Sequence, residues 1–382
     1  MGLDGRLRAC PFASVAHISK AEWDGLFAGS AFGWDFCLAS EAAPPPGFRL
    51  SALGVFAGDT LVAAAPVFHT VYRLDTSLPH RLRLVGDWVC RVAPRLINVS
   101  VVGLGSPVMD RCQVGFLPAL GKLERAEAWR AMLDGLQQLG ADGGCQLLAI
   151  KDLADEDRGW ADRALDEGRF SRLASLPVAV LDLPFRTEGE YLAHLSFNAR
   201  RDLKRKLRRS EARVRFEPRR SIGDVEAEIA SLYEATRTQR RADYGDFDAL
   251  SPAYVGRVLE VVGDRAQVML GWVGDELASF ALYLVQADRV FAHQIGMRYP
   301  LSRQYNLYFL NWMMMVRLCL ARGMIRRLEM GQTCYPLKLH LGCRLERSWV
   351  YFRHRLAPIN GVMGLVAPLV SFDQMEATAS HA

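Results

Sequence analysis

The stretch EMGQTCYPLKLHLGCR, residues 329–344, places Glu329, Gln332, Tyr335, Lys338 and Gly342 just after an apolar run, MIRRLEMG. That run reads as a buried strand stopping at Gly331. A carboxylate at a strand end can accept a proton, or it can pair with Arg326, Arg327 or Lys338 and hold the turn. A lysine one short turn later can reach back to a carboxylate, a phosphate or a developing oxyanion. The competing reading is a solvated helix lysine. Gly342 permits close approach of backbone. A second group is His293-Gln294, inside RVFAHQIGM. Histidine titrates near neutrality and can serve as a base. Strand alternation sends His293 and Gln294 to opposite faces, so only one can face a given site. A structural histidine at a strand edge fits equally well. A third group, Ser302, Arg303, Gln304 and Asn306, with Tyr308 just beyond, opens an apolar helix. Free N–H groups at a helix start favour phosphate; ordinary capping by Ser302 or Asn306 competes with that reading.

These groups need elements to hold them. Ser19 with Glu22 predicts a capped helix over KAEWDGLFAG, and WDFCLASEAA a second one, stopped by Pro44-Pro45-Pro46. Two strand-like runs flank Gly58-Asp59 and predict a hairpin. Strand-rich sequence continues to about residue 108, followed by a helix ending at Gly140 and the buried strand CQLLAIKDL. The second half repeats the order: a hairpin at Gly274-Asp275, the strand carrying His293, the helix YNLYFLNWMMMVRLCLARG, and MIRRLEMG. Met313-Met314-Met315 are expected in that helix's core. The repeated order points to a duplication. Between the halves lie a basic helix, the helix SIGDVEAEIASLYEATRTQRR, and a third that opens with Ser251 as N-cap and Pro252 at its first position.

The 382 residues suffice for two domains. No apolar window is long enough to span a membrane, and MGLDGRLRACPF lacks a signal-peptide core. The expected compartment is the cytoplasm. Eight cysteines without a C-x-x-C pair argue against a zinc cluster or a disulfide framework, and no metal is expected. The net charge is +5, yet residues 196–215 alone carry +7, with nine Lys/Arg against Asp202 and Glu211. That segment is a local device for something anionic. Arg201, Lys204/Arg205 and Arg208 share one face. Such a helix can lie on anionic lipid, bind RNA phosphates or remain a solvated face. The tail RHRLAPINGVMGLVAPLVSF is apolar and too short to span; it packs on the core or dips into a membrane interface.

Hairpin, strand, helix and strand, twice over, resemble the GNAT acyltransferase fold. The helix NARRDLKRKLRR opening the second copy, and the closing Gly323, LEMG, Tyr335, Lys338 and Gly342, resemble the Fem-type branch of that superfamily. Glu329 stands where relatives often carry Asp. The resemblance implies an α/β fold with mixed sheets: GNAT-like domains over 1–183 and 184–382, the second opening with a basic helix over 190–215. It also implies a transferase of one of two kinds. One moves an acyl group from acyl-CoA to an amine, as do proteins similar to bacterial ceramide synthases. The other moves an amino acid from aminoacyl-tRNA onto a peptidoglycan precursor or another amine. The first is the leading expectation, with a primary amine, long-chain lipid amines included, as acceptor and with peripheral contact to an anionic membrane. Nucleic acid enters only in the second, as tRNA. The implied catalytic set is His293, Glu329 and Lys338. Ser302, Arg303, Gln304, Asn306 and Tyr308 would hold the donor; Arg201, Arg205, Gln294, Gln332 and Tyr335 would contact substrate. The superfamily's pyrophosphate signature, Arg/Gln-x-x-Gly-x-Gly/Ala, is missing: the corresponding loop, RYPLSRQYNLY, has no glycine.

Overall fold

A computed structural model describes residues 7–73, 98–239 and 245–367. Part of the strand-rich stretch expected before residue 108, Cys90 and the last residues of the apolar tail lie outside them. The described residues form two compact units, the first within 1–176, 243–248 and 347–382, the second within 177–242 and 249–346.

In the first unit the strands are β1 (Leu7–Phe12), β2 (Phe48–Ala57), β3 (Thr60–Arg73), β4 (Asn98–Leu104), β5 (Gly115–Phe116), β6 (Leu147–Ala154), β7 (Ser171–Ala174) and β15 (Ser348–His354). They form one sheet in the order β1-β2-β3-β4-β6-β15-β7, with β5 against β3. Its helices are α1 (Lys20–Leu26), α2 (Trp34–Ala42), α3 (Lys122–Asp142), α4 (Arg158–Glu167) and α12 (Ala357–Val366). Ser19 caps α1 through the Glu22 N–H at 3.3 Å. Gly58 turns the β2–β3 hairpin at φ +59. α3 runs past its expected end at Gly140. A Cβ there would lie 2.5 Å from Leu148 Cδ2, so this glycine lets helix meet sheet and does not stop the helix.

The second unit holds β8 (Val178–Asp182), β9 (Arg215–Arg219), β10 (Ala266–Val273), β11 (Glu276–Gln286), β12 (Arg289–Met297), β13 (Arg327–Glu329) and β14 (Arg344–Glu346). Read from β9, the sheet order is β9-β10-β11-β12-β13-β8-β14. This repeats the first sheet strand for strand, as a duplication requires. The sixth strand of each sheet comes from the other half of the chain: β15 in the first, β8 in the second. The units are therefore not a cut at residue 183, because strand pairing and not chain order decides membership. The helices are α5 (Glu188–His194), the basic α6 (Phe197–Ser210), α7 (Glu226–Thr238), α8 (Tyr254–Val262), α9 (Leu301–Gln304), α10 (Leu307–Arg322) and α11 (Tyr335–His340). α8 starts later than Ser251-Pro252 predict. Ser251 O accepts from the Tyr254 N–H at 3.0 Å and closes a turn ahead of the helix. Met313, Met314 and Met315 are buried, in one core with Leu203 and Leu207 of α6. Among the described residues no helix is long and apolar enough to cross a membrane.

Candidate active site

In the second sheet β12 and β13 run parallel, but they pair only from Arg289↔Arg327 to Phe291↔Glu329. Beyond Phe291, β12 continues to Met297 against β11 alone. The chain leaving β13 stays with β8: the Met330 N–H donates to Ala179 O and the Ala179 N–H to Gly331 O. The two parallel strands thus part into a wedge with α10 packed on one face of the sheet and α7 on the other. Ala292 and Ile295 pack into the α10 core. Gly296 lies so close to α7 that a Cβ would sit 2.8 Å from its backbone.

His293 stands at the opening of this wedge. The β11–β12 register steps there: Ala292 pairs with Tyr283 and Gln294 with Leu282, leaving His293 as the extra residue of a bulge. Simple alternation therefore does not separate His293 from Gln294. The half-buried imidazole turns to the start of α8, where its Nε2 lies 2.7 Å from the Tyr254 hydroxyl. Burial lowers its pKa from 6.5 to about 4, so it is neutral at physiological pH. Below pH 6.5 the unfolded chain takes up a proton that the folded site resists until about pH 4. Stability present above pH 6.5 is lost across that window, by up to about 3 kcal/mol. His293→Gln should flatten this part of the acid side of the stability curve, as read from denaturation midpoints between pH 7 and pH 4. An unchanged slope would mean that His293 titrates normally. His69 in the first unit shifts the same way, to about 4, so only the difference between variant and parent reports on His293.

Glu329 is buried and forms an ion pair with Arg327 Nε at 3.1 Å, with Arg289 Nη1 at 3.7 Å. Arg327 also binds Glu346, and Arg344 joins Glu346 to Asp182. Of the expected partners Arg326, Arg327 and Lys338, the one Glu329 meets is Arg327.

Lys338 is neither a solvated helix lysine nor a cleft-facing cation. It is only 5% exposed, and its ammonium donates to the carbonyls of Met330 (2.6 Å), Gly331 (3.1 Å) and Gln332 (2.9 Å). All three N–H bonds are used, so the geometry that would stabilise an oxyanion holds the loop after β13 instead. Gln332 supplies one of those carbonyls. Tyr335, expected at the substrate, is buried and donates to Pro177 O at 2.9 Å. That loop is turned hard: Gly331, Thr333 and Cys334 all have positive φ. Lys338 and Tyr335 fasten it from either side.

The expected donor residues separate. Ser302 is buried in α9 with its hydroxyl on Met297 Sδ at 3.4 Å, which takes it away from any phosphate. Arg303 and Gln304 are exposed. Asn306 occupies the cap of α10 in the left-handed conformation, but its side chain donates to Ser210 Oγ at 2.9 Å and caps nothing. The Tyr308 ring stacks near Trp312, and its buried hydroxyl has no hydrogen-bond partner among the described residues. Burial raises its pKa above the ordinary phenol range. On α6, Arg205 is tied to Asp202 at 2.6 Å and Arg201 lies over the Phe197 ring. The structure brings His293 and Gln294 to the wedge, with Glu329 and the Gln332 loop at its β13 side. It leaves Arg201 and Arg205 on an outer helix. Sequence reasoning missed Tyr254. Its hydroxyl meets a histidine 39 residues away, and no local pattern encodes such a pairing.

Residues 198–339, which belong to the second unit apart from 243–248, match the model of the acetyltransferase (GNAT) domain. Over 86% of its length the chain is similar in fold to FemX, with a TM-score of 0.55 at 10% identity and 93% of that chain covered. It is also similar to a tandem GNAT protein from the clavulanic acid biosynthesis pathway (TM-score 0.51, 13% identity, 91% and 98% covered). A third likeness is to the C-terminal domain of a putative lysylphosphatidylglycerol synthetase from Agrobacterium fabrum (0.52, 11%, 90% and 92%). No curated protein matches the sequence. Residues 198–339 thus carry a GNAT acetyltransferase domain, the domain of an acyltransferase, and the parted parallel strands lie within it.

Proposed function

We propose that the protein is an acyl-CoA-dependent N-acyltransferase acting on a primary amine, with a long-chain lipid amine as the leading acceptor. The carrying observation is a neutral, oriented imidazole at the bulge of β12, where that strand parts from β13. The donor would approach from the α10 face, where Arg303, Gln304 and the N–H groups opening α10 suit a diphosphate. The amine would come from the α8 face. The amine nitrogen attacks the thioester carbon and the C–S bond breaks. The nitrogen's proton passes to His293 and on to the departing thiolate. With Tyr254 accepting from Nε2–H, Nδ1 carries the lone pair that takes this proton.

The first unit supports assigning the donor to the second. Past the paired ends of β4 and β6, the first unit's own loop fills the corresponding gap. Val108, Met109 and Cys112 are buried there. Lys151 Nζ holds Met109 O at 2.8 Å, and the Cys112 N–H donates to Asp152 O at 2.9 Å. The rival is a Fem-type transferase using aminoacyl-tRNA, favoured by the cationic α6. A long-chain acyl-CoA should raise the melting temperature, while deacylated tRNA should not. The reverse pattern would move the assignment to the rival.

A further inference from the structure

We propose that the exposed face of α6, with the neighbouring tip of α11, is a docking surface for an anionic phospholipid membrane. The inference goes beyond the acyl-transfer reading and does not depend on which donor or amine is used. Once internal pairs are removed, a surplus of cations remains. Asp202 is answered by Arg205 and Lys206, and Glu211 by Arg317. Among the described residues Arg201, Lys204, Arg208 and Arg209 are exposed and meet no carboxylate. Arg201, Lys204 and Arg208 recur at helical spacing, a row about 10 Å long at 1.5 Å per residue. The other face of α6 is committed: Ala199, Leu203 and Leu207 are buried in the core shared with α10. The helix therefore cannot roll its apolar side into lipid, and any contact is made by the cationic row lying flat on the surface.

An apolar tip marks one end of that row. Phe197 is 65% exposed and Leu339 of α11 is 47% exposed. Both belong to the same end of the unit. Gly342, just past α11, packs on Leu195, where a Cβ would meet Cδ2 at 3.2 Å, and the Tyr191 hydroxyl donates to Leu341 O at 2.9 Å. Large apolar side chains beside a row of long cationic ones suit a lipid interface: the apolar groups dip below the headgroups while Arg and Lys stay at phosphate level. The same face is a poor platform for RNA. Bases stack on open aromatic faces, whereas the Phe197 ring already carries the Arg201 guanidinium at 5.5 Å, and RNA gives Leu339 no role.

Flotation of the full chain tests this. Vesicles of phosphatidylcholine alone are compared with vesicles containing about one-third phosphatidylglycerol, at low and high salt. The protein should float with the anionic vesicles only, and less so as salt rises. The combined variant Arg201→Glu, Lys204→Glu, Arg208→Gln should lower partitioning about a hundredfold. Phe197→Ser with Leu339→Ser should lower it about tenfold and leave the salt dependence in place. Lys122→Glu, a charge reversal on the first unit, should alter nothing; thermal melts confirm that each variant is folded. Equal flotation with neutral vesicles, no flotation with anionic ones, or a triple variant that floats like the parent would overturn the proposal. So would displacement from vesicles by a homopolymeric RNA whose binding is abolished by the same three substitutions, an outcome that identifies the face as an RNA site.

Discussion

Lys338→Ala should lower the melting temperature of the second unit by roughly 6–12 °C. The cause is the position of the ammonium, which is buried and shared among three consecutive carbonyls, those of Met330, Gly331 and Gln332. Alanine removes the ammonium from that cluster and leaves Gly331 O with the Ala179 N–H. A buried carbonyl without a partner costs about 1–3 kcal/mol. Water entering the vacated space relieves part of this, leaving a loss of about 3 kcal/mol for the set. Lys338→Arg should not restore the parent. A planar fork cannot replace a compact ammonium whose three bonds point to three oxygens on one turn of chain. Lys338→Met, which keeps the length of the stem, should recover some packing but not the hydrogen bonds. Circular dichroism melts give the stability change, and turnover is measured well below either transition. Loss of turnover should track loss of the loop. A Lys338→Ala protein that melts with the parent yet has lost its activity would return Lys338 to oxyanion stabilisation.

Lys338 also shows what the sequence can and cannot convey. A lysine one turn after a buried strand marks a place where the chain folds back, and that much was legible at Tyr335, Lys338 and Gly342. Which oxygens it meets depends on the direction the loop takes. Here the positive φ of Gly331, Thr333 and Cys334 turns three carbonyls inward, and only the glycine among these announces such a conformation. The repeated hairpins, each turning on a glycine at φ +59, were legible for the same local reason. The exchange of β8 and β15 between the sheets was not, because both strands are short and their pairing is decided at long range. Glu329 illustrates a middle case. Its pairing with a nearby arginine was readable, since Arg327 lies two residues away on the same strand face, but its burial was not. His293 was legible as a candidate base. Its orientation was not, because a bulge breaks the two-residue period on which any reading of strand faces rests.

His293→Gln should lower kcat/KM by about 10²–10⁴-fold with little change in melting at neutral pH, the range expected when a general base is removed. Glutamine preserves the size and one polar contact to Tyr254 but cannot carry the proton. Tyr254→Phe should cost less, about tenfold, because it frees the imidazole without removing it. The pH dependence separates a base from a merely structural histidine. With its pKa near 4, His293 is too weak to strip a free ammonium, so the amine must arrive neutral. Once the nitrogen has attacked the thioester carbon it becomes a strong acid, and a weak base suffices to relieve it. The parent should therefore gain rate with rising pH through the amine's own ionisation and lose rate only below about pH 4 to 5 from the imidazole. His293→Gln should keep the first slope and lose the second. Acyl-CoA turnover with a soluble primary amine, followed by thiol release from pH 4 to pH 10, reads both limbs. If the variant turns over like the parent at every pH, the imidazole is a strut between β12 and α8, and the proton leaves the wedge by another route.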